Sequence, residues 1–274
     1  MTSVEETASY LQSIAPLELA ESWDNVGLLV GRPTSSVHKI MTALTLVPEN
    51  VAEAIEHKAD MVVVHHPLPF HALKRITSEA TPGRMLLDLI EAGIAVFSLH
   101  TAWDNTAGGI NEQLARLIGL TGVSPLIPAK NPELLQRQLG SGRSGTVPQK
   151  TNVEAVAQSL QRTLAVGSIS VVGERTTPVN KVGIVCGSGG SLLSYAREKK
   201  CDLFVTGEAT FHQCLEAQSY GIAMLLLGHF ASEKFAMNHL GSLLSLRFPN
   251  IEVWGSRRES EPSGPLFAPV NALA

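Results

Sequence analysis

The sequence predicts an α/β protein built around a largely parallel sheet. Three observations carry this. Short apolar runs alternate with amphipathic stretches of helical period, giving a strand, helix, strand rhythm. Several runs are apolar throughout instead of alternating, as in strands covered on both faces. Three of them also end in metal-type side chains. Met61-Val62-Val63-Val64 leads to His65-His66. Ile94 to Leu99 leads to His100, with Asp104 four residues on. Met224 to Leu227 leads to Gly228-His229, with Glu233 four residues on. Ligands of open α/β sheets gather beyond the carboxyl ends of the strands, so the three clusters are expected to share one pocket.

In chain order, Ser3 caps a helix whose face is Val4, Ala8, Leu11 and Ile14, with Glu6 at the capping-box position; Ala15-Pro16 ends it. Trp23-Asp24-Asn25 reads as a turn and Val26 to Gly31 as a short strand. A strand is predicted over Ile40 to Val47, and Pro48 opens a helix to about His57. After the strand ending at Val64, Pro67 and Pro69 stop regular structure. A helix from Thr81 to about Ala92 precedes the strand ending at Leu99, and another runs from Gly109 to Leu117.

Between Thr121 and Pro148 the composition shifts. Leu126 to Pro132 reads as a linker, and Gly140 to Pro148 is rich in Gly and Ser. A second block follows: a helix over Val153 to Leu164, strands at Ser168–Val172, Lys181–Val185 and Leu203–Val205, and helices to about Lys199 and over Phe211 to Tyr220. From Ser260 the pattern fades into a loose tail.

The chain has 274 residues, 44% hydrophobic and 17% charged, enough for a packed core. Its formal charge of −4 does not favour nucleic acid or anionic membrane as a partner. No apolar run is long enough to span a bilayer, and the N-terminus lacks a signal-peptide pattern. Cys186, Cys201 and Cys214 lack metal-type spacing and read as reduced packing thiols of a cytoplasmic protein.

Imidazoles and carboxylates at converging strand ends suit one or two divalent metals. His65 and His66 are the sharpest pair, since both rings reach one site only if the backbone turns there. His229 and Glu233 share a helix face if the helix has begun by His229; otherwise Ser232 is an N-cap and Glu233 a first-turn acid. Asp104 is the best remaining carboxylate. His100 fits ligation, a supporting hydrogen bond or substrate contact. Glu208 and His212, four apart after another strand, suit substrate contact or acid/base work. The Gly187 to Ser191 turn offers amides to a phosphate, or is simply a tight turn. His38, His57, His71 and His239 read as surface residues.

At these residues a family resemblance becomes specific. The segments are Glu21 to Leu28, Val64-His65-His66-Pro67-Leu68, Ser98 to Asp104, Gly140-Ser141-Gly142-Arg143, Val205 to Glu208 with His212, and Gly228 to Glu233. Together they resemble the NGG-one-interacting-factor-three-like family, dinuclear metal-centre proteins often named GTP cyclohydrolase type-two homologues. The resemblance implies two divalent ions (Zn, Fe, Mn, Ni or Co) held by His65, His66, Asp104, His229 and Glu233, with Glu233 or Asp104 bridging. It implies two α/β domains with mostly parallel or mixed sheets, the second inserted in the first, and the metals in the cleft between. The expected division is 1–127 plus 221–259, then 128–220, then the tail 260–274. It also implies a homohexameric toroid. The expected activity is hydrolysis of a purine nucleotide such as GTP, or of a phosphoester, with His100, Glu208 and His212 moving protons or positioning substrate. A non-catalytic metal-binding ring is the alternative. One departure stands out: where the family often has Ala-Leu-Asp, this chain has Ala43-Leu44-Thr45.

Overall fold

The computed structural model of the chain describes residues 1–263. The tail expected from Ser260 therefore lies, from residue 264 on, outside the described residues. Helix α1 (Val4–Ile14) starts where Ser3 Oγ accepts from the Glu6 amide, and it buries Val4, Ala8 and Leu11 as its apolar spacing predicts. Strands β1 (Gly27–Val30) and β2 (Lys39–Ala43), helix α2 (Pro48–Glu56), β3 (Met61–Val64), α3 (Thr81–Glu91) and β4 (Ala95–Ser98) follow. The short α4 (His100–Asn105) and α5 (Ile110–Ile118) complete this half.

Strand β2 stops four residues before the expected Val47. Asn50 is the cause. Its side chain accepts from the Val47 amide at 2.8 Å and donates to the Thr45 carbonyl at 2.7 Å, turning the chain into α2. Thr45 is thereby placed at the strand end beside the histidines.

The segment expected to be a linker is instead structured. It forms β5 (Thr121–Ser124), β6 (Ile127–Pro128), α6 (Pro132–Gln136), β7 (Gly140–Ser141) and the ten-residue β8 (Arg143–Asn152). Its glycines serve close packing more than a loop: a Cβ on Gly145 would sit 3.0 Å from the Leu120 Cβ. Then come α7 (Val153–Leu164), β9 (Ser170–Val172), β10 (Pro178–Val185), α8 (Leu193–Glu198), β11 (Leu203–Thr206), α9 (Phe211–Tyr220), β12 (Ala223–Leu226), α10 (His229–Arg247) and β13 (Glu252–Gly255).

Two main sheets result. The first has order β1-β4-β3-β2-β13, parallel except for β1. The second has order β5-β8-β10-β11-β12-β9, with β10, β11 and β12 parallel and the outer pairings antiparallel. Strands β5 and β12, which lie outside residues 128–220, belong to this second sheet. The chain returns to the first sheet through α10 and β13.

One apolar cluster joins the sheets. It contains Ile40, Val63 and Phe97 from the first sheet and Val182, Leu203 and Leu225 from the second. Leu114 of α5 and Leu240 of α10 are buried among them. No helix among the described residues is long and apolar enough to cross a membrane.

Candidate metal centre

The site is built where β3 and β4 of the first sheet and β12 of the second end near one another. His65 and His66 continue the β3 ladder: their amides donate to the Ala43 and Leu44 carbonyls at 3.2 and 2.8 Å. The His65 carbonyl accepts from Ser98 Oγ at 2.7 Å and from the His100 amide at 3.1 Å. These bonds end the strand in a fixed turn, and the two rings lie with centroids 4.8 Å apart. His229 opens α10 directly after β12, with Gly228 at the N-cap position, so Ser232 is inside the helix and is not its cap. Glu233 sits one turn later on the same face.

Glu233 is the hub. Its Oε2 lies 3.2 Å from both His66 Nε2 and His229 Nε2, and its Oε1 lies 3.7 Å from His65 Nε2. Asp104 Oδ1 lies 3.8 Å from His65 Nε2. Two donor sets share one carboxylate: His65 and Asp104 on one side, His66 and His229 on the other. The His66 and His229 Nε2 atoms are 3.3 Å apart.

The protons do not match these acceptors. His65 Nδ1 and Nε2, Asp104 Oδ1 and Glu233 Oε2 are all buried without a hydrogen-bond partner. A buried unpaired polar atom costs roughly 1–3 kcal/mol, so His65 Nε2, Asp104 Oδ1 and Glu233 Oε2 gathered together ask for a compensating charge. Divalent cations fit. The donors are imidazole nitrogens and carboxylate oxygens, the set that binds first-row metals, and ligand atoms lie within 4.8 Å of one another in two groups, His66 with His229 and Glu233, and His65 with His66 and His100.

Electrostatics agree. Burial pushes His65 down to about 4, outweighing the Glu233 carboxylate, so the ring is neutral and able to donate a lone pair. The Glu233 carboxylate 3.2 Å away lifts His229 to about 9. For Glu233 burial acts upward, but His65, His229 and His66 together hold it well below the usual carboxylate range. Burial, then the Glu233 charge, pushes Asp104 well above that range. A bound cation would let both carboxylates ionise together.

Each outer nitrogen but that of His65 has a partner. His66 Nδ1 meets Thr45 Oγ1 at 2.6 Å, so a hydroxyl stands where the family often has Asp. His229 Nδ1 faces Glu208 Oε1 at 3.4 Å, and Glu208 is itself held by Ser188 Oγ at 3.0 Å. His100 Nδ1 meets Asp24 Oδ1 at 2.6 Å. Partners on the outer nitrogen fix the ring and its tautomer, the usual support of a metal-binding or proton-moving imidazole.

His100 belongs to the cluster. Its ring lies 5.1 Å from His65 and 5.4 Å from His66. Its φ of 26° is in the left-handed region, a conformation costing about 1 kcal/mol or more for a β-carbon residue. The Asp24 carboxylate is fully shielded and also accepts from Thr101 Oγ1 at 2.5 Å and from the Thr101 and Asn25 amides. Burial acts upward on Asp24, but the bonds from His100 and Thr101 bring it down to about 2.

Two expectations need correction. His212 is exposed on α9, touches Phe211, and makes no ion pair or hydrogen bond to the cluster among the described residues. The Gly187 to Ser191 turn is not an open anion cradle. The Gly187 amide donates to Ser232 Oγ at 2.9 Å and the Gly189 amide to Thr206 Oγ1 at 3.1 Å. Gly187 makes room for the hub: a Cβ there would sit 2.3 Å from Glu233 Oε1. The four histidines expected at the surface are exposed.

The family model of DUF34/NIF3 (NGG1p interacting factor 3) matches residues 2–262. The chain belongs to this family. It is 33% identical over 223 residues to a Clostridium perfringens protein named GTP cyclohydrolase 1 type 2 homolog, covering 81% of this chain and 84% of the relative. It is 33% identical over 239 residues to NIF3-like protein 1 of Drosophila melanogaster, covering 86% and 79%. The crystal structure of Staphylococcus aureus protein SA1388 superposes with a TM-score of 0.87 at 26% identity, over 97% of this chain and 99% of that one.

Asp24, Thr45 and Ser232 are site residues that spacing alone did not single out. Asp24 lies inside the Trp-Asp-Asn turn of this DUF34/NIF3 chain, and its partner His100 is 76 residues away. A short acid in a turn reads as a turn former, so only the fold reveals the pairing.

Proposed function

We propose that this chain is a dinuclear metal-dependent hydrolase. His65, Asp104 and Glu233 would hold one divalent ion, and His66, His229 and Glu233 the second, Glu233 being common to both sets. The observation that carries this is three buried, unpartnered ligand-type atoms, His65 Nε2, Asp104 Oδ1 and Glu233 Oε2, gathered at one carboxylate. Such ions, when bound, supply Lewis acidity and charge neutralisation to hydrolysis.

The chain's own groups do the rest. His100, held by Asp24 through Nδ1, moves a proton at its Nε2. Glu208 steadies His229 and restrains the second donor set. His65, kept neutral by burial, keeps its lone pair available across the physiological range. The name of the Clostridium relative supports a purine nucleotide such as GTP as substrate; the donor set suits a phosphoester equally. The metals lie in a cleft between two α/β units, divided where the sheets change, and six copies form a ring.

The test is turnover of GTP and of a phosphoester panel by metal-loaded protein. Wild type is expected to hydrolyse at least one. His65→Ala is expected to lose metal and activity, and His100→Ala activity with the metal retained. Metal bound in wild type with no turnover beyond that of His65→Ala would contradict the hydrolase and leave the metal-binding ring as the better reading.

A further inference from the structure

Two large aromatic rings stand exposed beside this cluster. Trp23 is 62% exposed and Phe70 is 44% exposed. Their centroids are 6.1 Å apart at an interplanar angle of 38°. The His100 ring is 5.7 Å from each, edge-on to both. The exposed rings thus stand together on one side of the imidazole that reaches the metal-type residues.

The loops that carry them are tied down. Asn25 Nδ2 donates to the Pro69 carbonyl at 2.8 Å, joining the Trp23 turn to the Phe70 loop. Asp24, between Trp23 and Asn25, is fixed by His100 and Thr101. The two rings are therefore pre-set on one side of His100. Exposing large apolar rings on braced loops beside a polar cluster is costly unless something covers them. Two exposed aromatic faces inclined at 38° to each other accept a planar ring by stacking on one and edge contact with the other, and stacking tolerates any heterocycle with a π-face.

We infer that Trp23 and Phe70 form a stacking platform for a planar heteroaromatic ring of the substrate, with the ring's edge directed at His100. This rests on the hydrolase reading of the adjoining cluster and narrows its substrate to a molecule with such a ring. A nucleoside base meets the requirement; a simple sugar phosphate or aliphatic phosphoester does not.

The test is ring binding to metal-loaded full-length chain. Guanosine, adenosine and pterin are the probes and ribose 5-phosphate the control. Trp103 is 1% exposed and Trp254 is half-buried, so the quench assigned to Trp23 is the part that Trp23→Leu abolishes. Calorimetry gives affinity where Trp23 is absent. At least one ring probe is expected to quench wild type, and ribose 5-phosphate is not. Trp23→Leu and Phe70→Leu are each expected to weaken that probe about tenfold, the order of one lost base stack, with metal content unchanged. Failure of every ring probe to bind, or binding indifferent to both substitutions, overturns the platform. A change of oligomeric state in both variants, with ring affinity intact, assigns the rings to a subunit contact and overturns it too. Ring binding without turnover of any substrate keeps the platform and sinks the hydrolase; turnover with ring binding unaffected by either variant does the reverse.

Discussion

Thr45 does work at the centre that a hydroxyl performs less firmly than a carboxylate. For His66 Nε2 to face a cation, Nδ1 must carry the proton, and Thr45 Oγ1 then accepts it at 2.6 Å. Loss of such an outer partner typically costs 10–100-fold in metal affinity. Thr45→Val is expected to lose the second ion on dialysis while keeping the first, read as ions per chain. His229 gives a pH prediction. Its pKa near 9 means that the cation-free chain holds that proton below pH 9, so metal must displace it. Affinity should fall with falling pH, and zinc addition near neutral pH should release a proton that His229→Ala does not. The paired histidines were legible in sequence because strand ends concentrate ligands. Thr45 stood out only through the family resemblance, and Asp24 did not stand out, because its partner His100 is brought to it only by the turns.

At the scale of elements, buried polar anchors hold the strand ends. Arg143, at the start of β8, is buried, and its guanidinium donates to the carbonyls of Gly140, Gly142, Asn105 and Thr106 at 2.6 to 3.2 Å. Arg143→Met should destabilise by about 3 kcal/mol in urea unfolding, since it strands buried carbonyls. Glu53 of α2 accepts from Ser256 Oγ and from the Arg257 and Arg258 amides, tying down the chain after β13. Burial acts upward on it, yet these bonds leave its pKa lowered. Its ionised form is favoured by folding. The stabilisation is therefore present above the ordinary carboxylate range and is lost as pH falls through the lowered folded value. Wild type and Glu53→Gln should differ in urea midpoint near neutral pH and converge in acid. Gly187→Ala, with φ +64° and its new Cβ against Glu233, should displace the hub and reduce bound metal. The Gly/Ser stretch misled the sequence reading because glycine marks both loops and close strand packing. The register of β8 on β5 and β10 shows the latter.

Across the whole molecule, the α/β class was readable from the run pattern, but sheet membership was not. An apolar strand run says that both faces are covered and not which neighbour lies beside it. Hence β12 reads like β3 and β4 in sequence yet pairs with β11 in the other sheet. The ligand clusters still converge, because the sheets share one core and their strand ends meet at its edge. A ring of six copies would show in light scattering as six times the chain mass. The most direct test of the shared centre is metal content by elemental mass spectrometry for wild type, His66→Ala and Glu233→Ala. Close to two ions per chain in wild type is expected, falling in His66→Ala and nearly vanishing in Glu233→Ala. Little metal in wild type, or content unchanged by the Glu233 substitution, would contradict the shared dinuclear centre.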